Sequence, residues 1–334
     1  MNTRHTILFV LTLVLFTLPS CKKEKKEENF KEFMTGTLQV SGVNSYLAPG
    51  QEITVTPFGI SSPENVGYYW YNTWNSQKDT TRLEGGSGDG TYKIVMPEKP
   101  GNYTLTGIAF AKEYYDASVK INIIIVDNSL GGTLKNTEIS KGILFPDERD
   151  DISYYASMAG GLLWQKNNLA WAGAGVSYLQ SPVMDLMFGR FYTWEEAMTA
   201  CPEGWRLPSD EDFKSLAASC AGDESALGVH ETFTGLAGAF MVNATMAGER
   251  MWTYWPNVNI SNSLGFCAIP VGYCVDMEGI YRFTGINKYA AFWTSDEEGD
   301  NGYYRYIYVK SENLMSGMGD KKSFRASVRC VQDL

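Results

Sequence analysis

Between residues 36 and 127, apolar and polar side chains alternate in short runs, with turn-forming residues between the runs. A period of two puts successive side chains on opposite faces of an extended chain, so each run can bury one face and wet the other. Six runs carry the pattern, at 37–40, 52–56, 66–71, 92–96, 103–109 and 119–126. Short strands with turn signals every 8 to 12 residues or so fit an antiparallel sandwich. Trp70, in the third run, is the bulky side chain expected between the two layers. No cysteine falls in this region to staple them.

Upstream, Arg4 precedes an apolar run at 7–18 relieved only by Thr12 and Thr17, followed by Pro19, Ser20 and Cys21. A membrane span needs about 20 apolar residues, so the shorter run reads as the core of a secretion signal covering 1–20. Leu18 stands three positions before Cys21, as in the site at which bacterial lipoproteins are cut and acylated. Cys21 is therefore expected to carry lipid and to make the membrane a partner. Each buried methylene of an acyl chain adds about 0.8 kcal/mol of membrane affinity, and two or three chains hold firmly. Residues 21–35 mix lysines with Glu24, Glu27 and Glu28 and read as a flexible charged stalk. The expected location is the cell envelope, as an outer-membrane lipoprotein, with display at the surface left open.

The net charge is −10, and no basic cluster occurs beyond the stalk, so nucleic acid is excluded as a partner. Of the two histidines, His5 lies within the signal, which leaves His230. One histidine rules out a multi-histidine metal site, and His230 has no flanking motif. It reads as a solvated loop residue. No catalytic residue, metal or cofactor is expected.

Residues 128–142 are rich in Gly, Asn, Ser and Thr and read as a linker, with a second domain over 143–334. Two helices stand out there. Thr193 and Glu196 form a capping box, with Trp194, Ala197, Met198 and Cys201 following as the expected buried stripe. Ser209 caps the next helix, with Asp210, Glu211 and Asp212 in its first turn and Phe213, Leu216, Ala217 and Cys220 inward. Strands and Gly-rich loops are expected at 265–273, 280–283, 292–295, 303–309 and 326–331.

Several ordered motifs in this half are similar to a known family. They begin at Asp147, Arg149 and Asp150 and continue through Trp164, Asn168 and Leu169. The densest is Cys201, Pro202, Gly204, Trp205, Arg206, Leu207, Pro208 and Ser209. Gly265, Phe266, Ala268, Pro270, Gly272 and Tyr273 follow, then Phe292, Trp293, Thr294 and Ser295, then Ser327, Val328, Arg329 and Cys330. Together they resemble the Fibrobacter succinogenes major paralogous domain, a family of exported bacterial proteins with a C-type-lectin-like fold. The first domain resembles immunoglobulin-like domains of the PKD type through its 97–103 turn and its closing strand. The implied fold class is an all-β sandwich followed by an α+β C-type-lectin-like domain. The lectin relation also implies a disulfide between Cys201 and Cys330, which leaves Cys220, Cys267 and Cys274 as an odd set containing a free thiol.

What this implies for function is recognition rather than chemistry. The calcium-binding triplets of sugar-binding C-type lectins are absent, and the acidic loop from Asp296 to Asn301 reads as a solvated turn. A related enzyme fold that generates formylglycine shares an Arg206–Pro208-like segment, but nothing beyond the positions of Cys267 and Cys274 supports a redox pair. Trp252 and Trp255 lie with Asn257 and Asn259 where lectin-like folds carry a variable loop. Sugars stack on aromatic faces while amides bond their hydroxyls, so these four residues are the expected binding site, with Asp276 and Tyr281 as neighbours. Tyr304, Tyr306 and Tyr308 share one strand face and are expected to pack. The expected ligand is a glycan or a protein; the alternative is a structural part of a fimbria or envelope assembly.

Overall fold

The computed structural model describes residues 30–74, 81–83, 88–221 and 227–334. Cys21 and the segment expected to be a secretion signal lie outside the described residues.

The alternating runs form a sandwich of two sheets. One has the order Tyr46–Leu47, Ala117–Ile125, Gly101–Phe110, Gly67–Trp74, Thr81–Leu83; the other has Thr35–Ser41, Glu52–Ser62, Tyr92–Val95. Pairing is antiparallel throughout except at Tyr46–Leu47, which runs parallel to Ile124 and Ile125. Strand Gly101–Phe110 shows how the period works: Tyr103, Leu105, Gly107 and Ala109 are buried and the residues between them are not. Trp70 is 2% exposed and donates from Nε1 to the Gly90 carbonyl at 2.9 Å. A Cβ on Gly107 would lie 2.7 Å from the Trp70 ring, so the indole rests where only glycine leaves room.

The segment expected as a linker is instead built into the second domain. Leu134–Lys135 pairs with Thr245–Met246, and Leu134 and Ile139 are buried with Val242, Ala244 and Met251. Two buried apolar side chains decide this, and the surrounding Gly, Asn, Ser and Thr mask them in the sequence. Contact with the sandwich is direct. Val126 joins the same cluster, and Ser181 Oγ donates to the Tyr46 carbonyl at 2.6 Å.

The second domain is strand-rich. One sheet has the order Ile143–Asp147, Ile152–Ala159, Leu162–Gln165, Val331–Asp333, which brings the chain's last strand back beside an early one. A second is Tyr289–Glu298, Asn301–Tyr308, Leu314–Asp320, and a third is Ile280–Thr284, Tyr273–Met277, Phe324–Arg325. The expected strand at 265–273 is loop up to Tyr273, and 326–331 pairs only through single bridges before Val331. The expected capping box forms at Thr193 with Glu196, and the expected Ser209 cap is completed into a second box by Asp212. Helix Trp194–Ala200 buries Trp194, Ala197 and Ala200, whereas Met198 is 43% exposed. The buried residues are spaced by three, so their face centres on Ala197, and Met198, one residue on and about 100° further round, turns outward.

Candidate functional site

The motif residues mostly build scaffold. Cys201 and Cys330 are bridged, with a Cα separation of 5.8 Å across 129 residues. Next to the bridge, the fully buried Arg329 donates to Asn168 Oδ1 at 2.7 Å and to the carbonyls of Gln165, Lys166, Phe266 and Cys267. Its guanidinium lies 4.7 Å from the Phe266 ring centre and 5.4 Å from that of Phe292. Burial without a carboxylate partner pushes its pKa down to about 9. Carbonyl dipoles and ring faces thus take the place of a counter-ion. A second buried cation, Arg305, pairs with Asp210 at the start of helix Asp210–Ala218. Arg206 grips Asp212 at 2.6 Å and Asp333 at 2.9 Å, and Trp205 stacks on Phe145 at 4.1 Å.

The expected binding cluster divides into three. Trp252 is 1% exposed and donates from Nε1 to the Ala268 carbonyl at 3.1 Å, so it belongs to the core. Trp255 is half-buried beneath Lys310, whose Nζ lies 5.5 Å from the ring centre. Trp255 and Asn259 line a cleft of about 180 Å³, with the exposed Tyr254 beside them. Asn257 is exposed and lines a neighbouring cleft with Asn259 and Glu312. Asp276 and Tyr281 line neither cleft. They face each other across the Tyr273–Met277 and Ile280–Thr284 hairpin, where Arg325 lies 3.7 Å from Asp276 and 5.4 Å from the Tyr281 ring centre. Proximity in sequence cannot show that Trp252 turns inward while Trp255 does not.

His230 is not the solvated residue expected. Its ring stacks on Tyr303 at 3.7 Å and 4°, with Nε2 3.5 Å from Asp296 Oδ1. The acidic loop closes the hairpin of the strands that end at Glu298 and begin at Asn301, with Lys321 bonded to Glu297 and to the Gly299 carbonyl. Among the described residues, no group of three or more His, Cys, Asp or Glu is arranged to hold a metal ion. Cys220, Cys267 and Cys274 are all free, and burial raises all three thiols, Cys274 to about 12. Such thiols stay protonated and unreactive at neutral pH.

An aromatic groove lies where the tyrosines of one strand were expected to pack. Tyr304, Tyr306 and Tyr308 project from one face of strand Asn301–Tyr308, while Arg305 and Ile307 point to the core. With Tyr273, Tyr289, Met315 and Phe324 they line a groove of about 310 Å³ that has no charged side chain in its wall. Two pairs are stacked, Tyr289 on Tyr308 at 4.8 Å and Tyr304 on Phe324 at 4.7 Å, both at 21°. A Cβ on Gly317 would lie 2.8 Å from Tyr304 Cζ, so the phenol lies directly across the neighbouring strand. Burial raises the Tyr304 pKa to about 12, which keeps it a hydrogen-bond donor at any ordinary pH. The groove offers flat apolar faces edged with phenol hydroxyls, the mixed surface characteristic of tyrosine-rich contacts. Period-two spacing of the three tyrosines was the available signal; that the face stays half-open was not readable.

Comparison with known proteins places the second half of the chain. No curated protein matches it. A solved PKD domain of an M14-like peptidase from Thermoplasmatales archaeon SCGC AB-540-F20 is similar over 27% of this chain and 92% of that one, at 16% identity and a TM-score of 0.20. The Yersinia pseudotuberculosis adhesin InvE is similar over 89% of this chain and 70% of that one, at 12% identity and a TM-score of 0.24. Neither likeness is close enough to bear on function. Residues 157–332, just over half of the chain, match the Fibrobacter succinogenes major domain, and the scaffold motifs at Trp164, Cys201–Ser209, Phe266 and Arg329–Cys330 fall within that span. The chain belongs to the Fibrobacter succinogenes major domain family.

Proposed function

We propose that this protein is a lipid-anchored component of the cell envelope whose second domain binds glycans without acting on them chemically. The observation that carries the reading is the uncharged groove of Tyr273, Tyr289, Tyr304, Tyr306 and Tyr308. Pyranose rings present C–H faces that stack on phenols, and their hydroxyls pair with the phenol oxygens at the edge. An uncharged wall suits a neutral sugar and penalises an ionic one, which would lose hydration without gaining a partner. Trp255 and Asn259, with Asn257 in the neighbouring cleft, would supply a separate polar and aromatic contact surface, since Val309 lines the cleft of Trp255 and Asn259 while Tyr308 lines the groove. The absence of chemistry is supported by the raised thiol pKa values and by the commitment of Arg206, Arg305 and Arg329 to structural partners.

The C-type-lectin-like relation belongs to the same reading. Its supports are the two capped helices, the bridge from the end of the first helix to Cys330, and the last strand returning beside Leu162–Gln165. Anchoring rests on Leu18 to Cys21, and the envelope location follows from it. Metabolic labelling with an alkyne fatty acid is expected to mark the wild-type chain and not Cys21→Ala; equal labelling of both removes the anchor. A glycan array probed with the full chain is expected to return neutral oligosaccharides, with the signal reduced in Tyr306→Ala. An empty array, or hits indifferent to Tyr306→Ala, would move function away from this groove.

A further inference from the structure

The end of the sandwich at which the chain enters carries aromatic side chains exposed to solvent. Glu32–Phe33, inside the stretch expected as a stalk, pairs in parallel with Tyr114–Tyr115. Phe30 is 83% exposed and Phe33 81%, and Tyr115 and Phe110 are exposed as well. Phe33 stacks on Tyr115 at 5.0 Å, and Phe110 packs against Tyr69 at 5.5 Å. Strand Ala117–Ile125 fixes which end this is. Ala117 pairs with Ala109, next to Phe110, whereas Ile125 pairs with Gly101 and Leu47. The Leu47 end is the one that meets the second domain, through Tyr46 and Val126. The aromatic end therefore lies roughly 30 Å from that contact by strand rise, at the opposite end of the sandwich. Phe30 also stands nine positions after Cys21. At no more than about 3.6 Å per residue, an acylated Cys21 lies within about 32 Å of it whatever path the chain takes.

We propose that this aromatic end docks on the membrane that holds the lipid anchor, with Phe30, Phe33 and Tyr115 entering the boundary between headgroups and acyl chains. The proposal rests on the anchor at Cys21, and the short reach from Cys21 to Phe30 names the bilayer as the occupant. Aromatic side chains are favoured at that boundary, where the ring leaves water while charged neighbours stay wet. Contiguous exposed apolar surface on a soluble domain marks such a contact. Charge does not drive it. Lys31 and Lys112 are offset by Glu32, Glu113 and Asp116, all exposed at the same end, so zwitterionic lipid suffices. Docked in this way, the sandwich holds the second domain off the membrane by its own length.

The lipidated chain is placed in phosphatidylcholine vesicles that carry a nitroxide on the acyl chains. A nitrobenzoxadiazole label is attached at Lys112→Cys or, at the opposite end of the sandwich, at Lys99→Cys. Both positions are exposed, and the native free thiols are common to both chains. Because such contacts enter only about 5 to 10 Å, the nitroxide is expected to quench the Lys112 label at least about threefold more than the Lys99 label. Phe30→Ser combined with Phe33→Ser is expected to bring the two labels level, while vesicle flotation, which reads the anchor, is unchanged. Both phenylalanines are exposed, so the fold survives their loss. Equal quenching of the two labels in a chain that floats, or a Lys112 signal that survives the double substitution, overturns the proposal. So does pairing of copies that depends on the two phenylalanines without any difference in quenching, which would assign the patch to a second copy. A chain that neither floats nor carries an acyl group removes the anchor and the proposal with it, and flotation reports that failure separately from the quenching.

Discussion

The loop at 252–259 and the strand Asn301–Tyr308 each bring several aromatic side chains together within eight residues, and they use them differently. In the loop the backbone is irregular, so neighbouring side chains have unrelated fates: Trp252 is sealed in the core, Tyr254 is 72% exposed and Trp255 is half-covered by Lys310. In the strand the backbone is periodic, so Tyr304, Tyr306 and Tyr308 share one fate and together form a surface. A regular element thus turns a local cluster into a coherent binding face. An irregular one distributes the same residue types between core and solvent.

Substitutions can break that comparison. Trp252→Ala removes a fully buried indole and its bond to Ala268, and should cost about 3 to 5 kcal/mol of stability, read by denaturant unfolding. A loss below about 1 kcal/mol would mean that the two regions do not differ as described. Tyr306→Ala should weaken binding of an array-identified glycan roughly five- to tenfold, as expected for one lost aromatic contact. Its melting temperature should fall by only a few degrees. Tyr306→Phe, which keeps the ring, should retain most of the affinity; equal damage from both variants would assign the effect to the hydroxyl rather than to stacking. Trp255→Ala should be mildest for stability, at under about 1 kcal/mol, because the contact with Lys310 is exposed and worth little. A loss as large as that of Trp252→Ala would place Trp255 in the core as well.

Legibility followed regularity across the whole molecule. The six expected runs all form strands of the sandwich, because one buried and one wetted face is a local property of each run, whereas the short strands Tyr46–Leu47 and Thr81–Leu83 were not foreseen. Both helix starts were readable, since a capping box is a contact between residues three apart. The strands Ile143–Asp147, Ile152–Ala159 and Leu314–Asp320 were missed, as was the incorporation of 128–142, whose Leu134 and Ile139 are isolated among polar residues. Within the four-residue cluster expected to bind, Trp252 is buried, for a related reason: in a loop, sequence spacing does not say which way a side chain turns.

By itself the sequence determined the sandwich, the two capped helices and, through the motifs that carry the family resemblance, the pairing of Cys201 with Cys330. Each rests on short-range periodicity, on contacts within a few residues, or on a pattern of marked residues. Only the tertiary structure decided that Arg329 would gather carbonyls from 165–166 and 266–267, and that the buried Asn136 Nδ2 would be left without a protein partner. It also decided that Tyr273 and Phe324 would meet Tyr304 across the edge of a separate sheet. These arrangements join residues tens to more than a hundred positions apart. Which of them meet is fixed by the packing of whole sheets, and no local pattern encodes it.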